Sequence, residues 1–167
     1  MSEQVIVETS AGSFTIELDS EKAPNTVTNF LEYVDASHYD GTIFHRVIRD
    51  FMIQGGGFDT SYTKKAVRAP IRNEANNGLN NLRGTVSMAR TSEPHSATAQ
   101  FFVNTVDNDF LDYRTPSDSG WGYAVFGRVV QGMETVDAIR EVATGSEGPF
   151  SENAPSTQVV IRSIRRA

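Results

Sequence analysis

Cysteine is missing from all 167 residues, and with it go disulfide frameworks, thiolate zinc sites, CxxC redox chemistry and a cysteine nucleophile. A chain built this way fits a reducing compartment. Long apolar runs are missing too. Stretches such as Tyr123-Ala124-Val125-Phe126 stop far short of the roughly 18 residues that mark a membrane-spanning helix, so no membrane partner is expected. Basic charge is in deficit: 15 Lys and Arg stand against 21 Asp and Glu, a net charge of -6. The phosphate attraction that drives nucleic-acid binding therefore has the wrong sign overall, and nucleic acid is not an expected partner. The opening run Met1-Ser2-Glu3-Gln4-Val5-Ile6-Val7-Glu8 has neither the basic nor the apolar region of a secretory signal. A cytoplasmic location is the expectation.

At about 100 to 200 residues per domain, the length predicts one domain over residues 1–167, large enough for a core that needs no disulfide or metal. Val5 to Glu8 and Phe14 to Leu18 flank the turn-forming Ser10-Ala11-Gly12-Ser13, and Phe14, Ile16 and Leu18 alternate with Thr15, Glu17 and Asp19. That is a hairpin with one buried face. Pro24 suits a first helical position, and Val27, Phe30, Leu31 and Val34 share a stripe that Asp40-Gly41 ends. A shorter helix is expected after Gly132, with Met133, Val136 and Ile139 on one face. Strand-like runs recur at Thr42 to Ile48, Phe51 to Gln54, Thr85 to Ala89, Phe101 to Asn104, Val125 to Val130 and Val159 to Ile164.

With the hairpin these make about eight strands, and two helices are too few for parallel crossovers. The expected fold is mainly β: an eight-stranded closed antiparallel barrel capped by two α-helices. Eight strands leave an interior only wide enough for side chains to fill. Bulky candidates such as Phe14, Ile16, Phe101 and Phe126 would fill it, leaving little room for a stored apolar ligand. A functional site is expected on the outer wall.

The densest chemistry lies in Phe44-His45-Arg46-Val47-Ile48-Arg49-Asp50-Phe51-Met52-Ile53-Gln54-Gly55-Gly56-Gly57. A basic residue inside a strand-like run is costly if buried unpaired, so Arg46 should face a groove or find a carboxylate. In Gln100-Phe101-Phe102 the alternation puts Gln100 and Phe102 on one face and Phe101 on the other, and an outward polar and aromatic pair suits peptide binding. Other readings are poorly supported. The three glycines are not followed by the Lys-Ser or Lys-Thr of a phosphate loop and read as a tight turn. His38, His45 and His95 have no metal-ligand spacing, and Ser87 and Ser96 lie outside any GxSxG elbow. Arg162, Arg165 and Arg166 read as a solvated strand end.

The run Phe44-His45-Arg46-Val47-Ile48 with Phe51-Met52-Ile53-Gln54-Gly55-Gly56 closely resembles the signature of cyclophilins, the peptidyl-prolyl cis-trans isomerases. Matching segments follow at Gly84 to Ala89, Ala99 to Val103 and Val125 to Met133, and one precedes it at Ala23 to Phe30, so the resemblance spans nearly the whole chain. Asn73 to Leu79 and Pro94 to Ala99 look like the bacterial cytoplasmic, type B, branch. The resemblance implies an isomerase without cofactor or metal, acting as a monomer on proline-containing peptides and on unfolded or flexible polypeptides.

It makes Arg46 the catalytic arginine and Gln54 its polar neighbour. Phe51, Met52, Phe102 and Leu111 match the proline pocket, and Ala89, Arg90 and Gln100 match positions that hold the peptide. Arg90 stands where the family often has asparagine, Phe110 where many members carry tryptophan, and Tyr123 where many carry histidine. Cyclosporin, the cyclic peptide that the family binds in this groove, is accordingly expected to bind weakly. A proline-binding module with little catalysis is the competing reading, and the retention of both Arg46 and Gln54 argues against it.

Overall fold

The structure is a computed structural model that describes residues 3–167; Met1 and Ser2, part of the run read above for a secretory signal, lie outside the described residues. Eleven strands and two α-helices are present among them: β1 Gln4–Thr9, β2 Gly12–Leu18, α1 Pro24–Asp35, β3 Thr42–Ile43, β4 Arg46–Ile48, β5 Met52–Gly55, β6 Thr85–Met88, β7 Phe101–Asn104, β8 Val125–Gln131, α2 Met133–Arg140, β9 Thr144–Glu147, β10 Phe150–Pro155 and β11 Val160–Arg166. Nine strands form one antiparallel sheet in the order β3-β11-β1-β2-β8-β6-β7-β5-β4, and β9 pairs with β10 in a separate hairpin.

The expected run Thr42 to Ile48 is two strands at opposite edges of the sheet. No hydrogen-bonded pair joins those edges. The covalent chain does, through Phe44-His45, whose Phe44 N–H still donates to the Val159 carbonyl at 3.0 Å. Counting β3 and β4 as halves of one strand recovers eight strands around the barrel, with a ladder that does not close on itself. The β9–β10 hairpin was not expected from the sequence, because Thr-Gly-Ser-Glu and Phe-Ser-Glu-Asn-Ala-Pro lack the alternation that marks a half-buried strand.

The alternation predicted for β2 is realised: Phe14, Ile16 and Leu18 are buried. They share one core with Phe101 and Phe126, with Val27, Phe30, Leu31 and Val34 of α1, and with Val136 and Ile139 of α2. The ring of Phe30 lies 5.1 Å from that of Phe126 and 5.7 Å from that of Phe101, so aromatic side chains fill the space a stored ligand would need.

Helix α1 stops at Asp35, five residues before the expected Asp40. Ser37 takes a left-handed conformation (φ 57°), His38 N–H bonds back to the Tyr33 carbonyl and Ser37 N–H to the Val34 carbonyl, both at 3.0 Å. This is a Schellman ending with serine where glycine is usual. At the other end Ala23 offers no capping side chain. Glu74, distant in sequence, accepts from the backbone N–H of Thr26 at 2.7 Å and from its hydroxyl at 2.6 Å, placing a carboxylate at the positive end of the helix dipole. Two of the three terminal arginines are ion-paired as well as solvated: Arg166 forks onto Asp35 at 2.8 and 2.9 Å and Arg165 faces Asp40 at 3.7 Å.

Candidate functional site

Strand pairing sorts the side chains of β4 to β7 into inner and outer rows. Val47, Ile53, Val103 and Val86 are register partners in turn, and all four belong to the main core. The adjacent row runs Arg46, Gln54, Phe102, Ser87 and faces outward. Phe101 and Phe102 split as the sequence indicates, Phe101 into the main core and Phe102 into a second apolar cluster with Met52, Ala89 and Leu111, against which Ile48, Phe51 and Tyr123 pack.

A cavity of about 140 Å³ opens over this second cluster, lined by Arg46, Phe51, Met52, Gln54, Ala89, Arg90, Phe102, Leu111 and Tyr123. Nine of the eleven residues singled out from the sequence thus converge, from β4, β5, β7 and three loops. The floor is apolar and buried: Met52, Phe102 and Leu111 are 1%, 4% and 7% exposed. The volume suits a small ring, being below the roughly 300 to 1,000 Å³ of drug-sized sites.

The polar edge is a chain of side chains. Arg46 donates from Nη1 to Gln54 Oε1 at 3.3 Å, and Gln54 donates from Nε2 to Gln100 Oε1 at 2.9 Å. Arg46 finds no carboxylate among the described residues; its guanidinium carbon lies 6.0 Å from the centre of the Phe51 ring and faces the cavity. Gln100 lines an adjoining polar cavity of about 240 Å³ with Gln54, Lys64, Lys65, Arg90 and Thr91. Gly57 is what admits it: a Cβ there would stand 2.4 Å from Gln100 Nε2. The glycine run is therefore a close approach as well as a turn, with Gly56 at φ 93°.

On the opposite rim, Arg90 donates from Nε to the Gly122 carbonyl at 2.9 Å and its guanidinium stacks 4.5 Å above the Tyr123 ring. Phe110, at 57% exposed, lies outside the cavity lining and stacks on Phe51 with ring centres 5.6 Å apart. Trp121 is buried against His95 and Tyr113 and does not line the cavity. No histidine or carboxylate lines it either.

His45 points the other way, into a box made by Phe58 and Phe150, with ring centres at 4.8 and 5.2 Å. Its Nδ1 has no hydrogen-bond partner. Burial first, and then the neighbouring Arg46 charge, lowers its pKa from 6.5 to about 4. Nothing in the local sequence distinguishes this histidine from a cavity-facing one except its place beside Arg46, since neighbours in a strand face opposite ways.

The family model for cyclophilin type peptidyl-prolyl cis-trans isomerase/CLD matches residues 4–166. The peptidyl-prolyl cis-trans isomerase cyp18 of Streptomyces antibioticus is 56% identical over 161 residues, 96% of each chain. Peptidyl-prolyl cis-trans isomerase B of Escherichia coli is 54% identical over 160 residues, 96% of this chain and 97% of the relative. Among solved structures, a Cryptosporidium parvum cyclophilin type peptidyl-prolyl cis-trans isomerase superposes with a TM-score of 0.82 at 25% identity, covering all of this chain and 98% of its own. A structure of that protein in the presence of the dipeptide Ala-Pro gives 0.81 at 26% identity, covering 98% of each chain.

Proposed function

Since this chain belongs to the cyclophilin-type peptidyl-prolyl cis-trans isomerases and so catalyses rotation about X-Pro bonds in proline-containing peptides, we propose that Arg46 is its catalytic residue and that the cavity over Met52, Phe102 and Leu111 holds the prolyl ring. The observation that carries this reading is the single cavity that brings a guanidinium and a glutamine to the edge of an apolar floor.

An X-Pro bond isomerises over tens to hundreds of seconds, because resonance sets a barrier of about 18 to 20 kcal/mol. Raising a rate of about 0.01 per second to about 1,000 per second takes five decades, roughly 7 kcal/mol. No covalent chemistry is needed. As the bond twists, the proline nitrogen pyramidalises and regains a lone pair, to which the Arg46 guanidinium can donate; the planar ground state offers no such acceptor. Gln54, accepting from Arg46 and donating to Gln100, pre-sets the guanidinium. Phe51, Met52, Phe102 and Leu111 keep the ring still and dry, which strengthens the contact while the rest of the peptide turns. Ala89, Arg90, Gln100 and Tyr123 are assigned to the peptide on either side of the proline, and Phe110 to the outer rim.

We read residues 1–167 as one such domain, acting as a cytoplasmic monomer on flexible or folding polypeptides, and we expect cyclosporin to bind weakly. The shared core of sheet and helices supports the single domain. Among the described residues, no helix is long and apolar enough to cross a membrane. The five exposed large apolar side chains among the described residues, Ile6, Val67, Leu82, Phe110 and Val130, are spread over β1, β8 and three loops. Titrating a proline tetrapeptide into isotope-labelled protein tests the site: signals of Met52, Gln54, Phe102 and Leu111 should move, and perturbations confined to another face would move the site there.

A further inference from the structure

Three of the cavity's neighbours, Phe110, Leu111 and Tyr123, come from residues 105–123, which contain no strand and one three-residue 3-10 turn, Asp109–Leu111. A loop of this kind does not hold its shape by local propensity. Besides backbone bonds such as Tyr123 N–H to the Leu111 carbonyl at 2.8 Å and Asn108 N–H to the Asn81 carbonyl at 2.7 Å, it is tied by the side chains of asparagines buried behind the cavity wall: Asn81 and Asn104 are 0% exposed and Asn108 is 2%.

Asn81 is the hub. Its Nδ2 faces the Leu111 carbonyl at 3.3 Å, the Tyr123 carbonyl at 3.3 Å and Asp112 Oδ1 at 3.1 Å. Its Oδ1 accepts from Ser87 Oγ at 2.6 Å and from Asn104 Nδ2 at 3.1 Å. Asn108 continues the chain, donating from Nδ2 to Asn104 Oδ1 and to the Phe51 carbonyl, both at 2.8 Å. The amide chain therefore ends on the carbonyl of Phe51 at one side of the cavity and on those of Leu111 and Tyr123 at the other. Donors and acceptors alternate along it, so each amide has one orientation that satisfies its partners.

We propose that Asn81, relayed through Asn104 and Asn108, is a positioning residue that sets the width of the proline pocket. None of the three lines the cavity, so they act through Phe51, Leu111 and Tyr123. The network shares no hydrogen bond with the Arg46-Gln54-Gln100 chain on the other rim. Disturbing it loosens the grip on the ring while leaving the guanidinium in place, and the loss falls on KM.

The inference rests on the cavity being the proline site. Asn81→Ala, Asn108→Ala and Ser87→Ala are compared with Val7→Ala, a core truncation in β1 away from the cavity, by measuring kcat and KM on a proline tetrapeptide and Tm for each. Asn81→Ala and Asn108→Ala should raise KM fivefold or more with kcat within twofold, and Ser87→Ala less, while Val7→Ala lowers Tm without moving KM. If the asparagine variants shift KM no more than Val7→Ala does, the proposal is overturned. Should Asn81→Ala fail to fold, Asn108→Ala and Ser87→Ala carry the test. Leu111→Ala separates the two readings: if it raises KM and the asparagine variants do not, the network idea alone fails, whereas an unchanged KM in Leu111→Ala displaces the proline site itself.

Discussion

Arg46 and Gln54 are register partners across β4 and β5, and the guanidinium of the first donates to the side-chain carbonyl of the second at 3.3 Å. Because the Gln54 amide is also engaged with Gln100, its oxygen is turned toward Arg46, whose side chain lines the cavity. A flexible, charged side chain is thereby placed at the edge of an apolar pocket without a carboxylate, which would compete for its donors.

Arg46→Ala should lower kcat/KM by two decades or more, about 3 kcal/mol, comparable with the loss of an oxyanion-hole donor. Arg46→Lys should recover only part of it, since an ammonium lacks the planar fork. A protease-coupled assay on a proline tetrapeptide, with circular dichroism to verify folding, measures this; retention of more than half the activity by the alanine variant removes Arg46 from the mechanism.

Gly57→Ala should lower kcat/KM about fivefold. The new Cβ would meet Gln100 at 2.4 to 2.6 Å, so the Gln100 amide must leave and its bond to Gln54 goes with it, a loss of about 1 kcal/mol. Gly145→Ala, where nothing lies within 4 Å, serves as the control. Equal activity in the two variants would show that Gln100 does not steady the arginine.

Catalysis should be nearly flat from about pH 6 to 9, because no histidine or carboxylate lines the cavity and guanidinium groups keep their charge in this range. Stability should behave differently. His45 has a folded pKa of about 4 against 6.5, so the unfolded chain binds its proton first as pH falls. The stabilisation is whole above about pH 6.5, declines toward pH 4, and amounts to about 3 kcal/mol. Denaturant melts across this range should show the decline in the native protein and less of it in His45→Phe. An activity step centred near 6.5 that vanishes in that variant would instead make His45 an acid-base group and contradict the scheme.

Cyclosporin should bind one to two decades more tightly to Phe110→Trp than to the native protein. An indole N–H can donate where a phenyl ring cannot, worth roughly 0.5 to 1.5 kcal/mol, and its extra few tens of Å² add about 1 kcal/mol. The exposed position of Phe110, stacked on Phe51, leaves the pocket floor intact, so peptide turnover should change less than drug affinity. Calorimetric titration decides it; equal affinities would mean that another rim residue, such as Tyr123, controls the drug.

Local pattern by itself determined which side chains enter the core and which face outward. Alternation of period two separates Phe101 from Phe102, and Phe14, Ile16 and Leu18 from Thr15 and Glu17, because successive strand side chains point to opposite faces; the stripe at Val27, Phe30, Leu31 and Val34 marked α1 for the matching reason at period 3.6. The family resemblance could mark Arg46 and Gln54 together because β4 and β5 are joined by a short turn, which keeps both in one continuous run. Tertiary structure decided the rest, through contacts between residues far apart in sequence that leave no local signal. Glu74 caps α1 from 48 residues away, Asn81 reaches Tyr123 across 42, and Gln100 lies over Gly57. In the sequence Gly57 reads only as part of a tight turn and Asn81 stands in no motif; burial, with the requirement that every buried amide find partners, is what ties Asn81 to the cavity wall. The break of the chain between β3 and β4 is of the same kind, since a strand's partners, and not its own residues, decide which sheet edge each half completes.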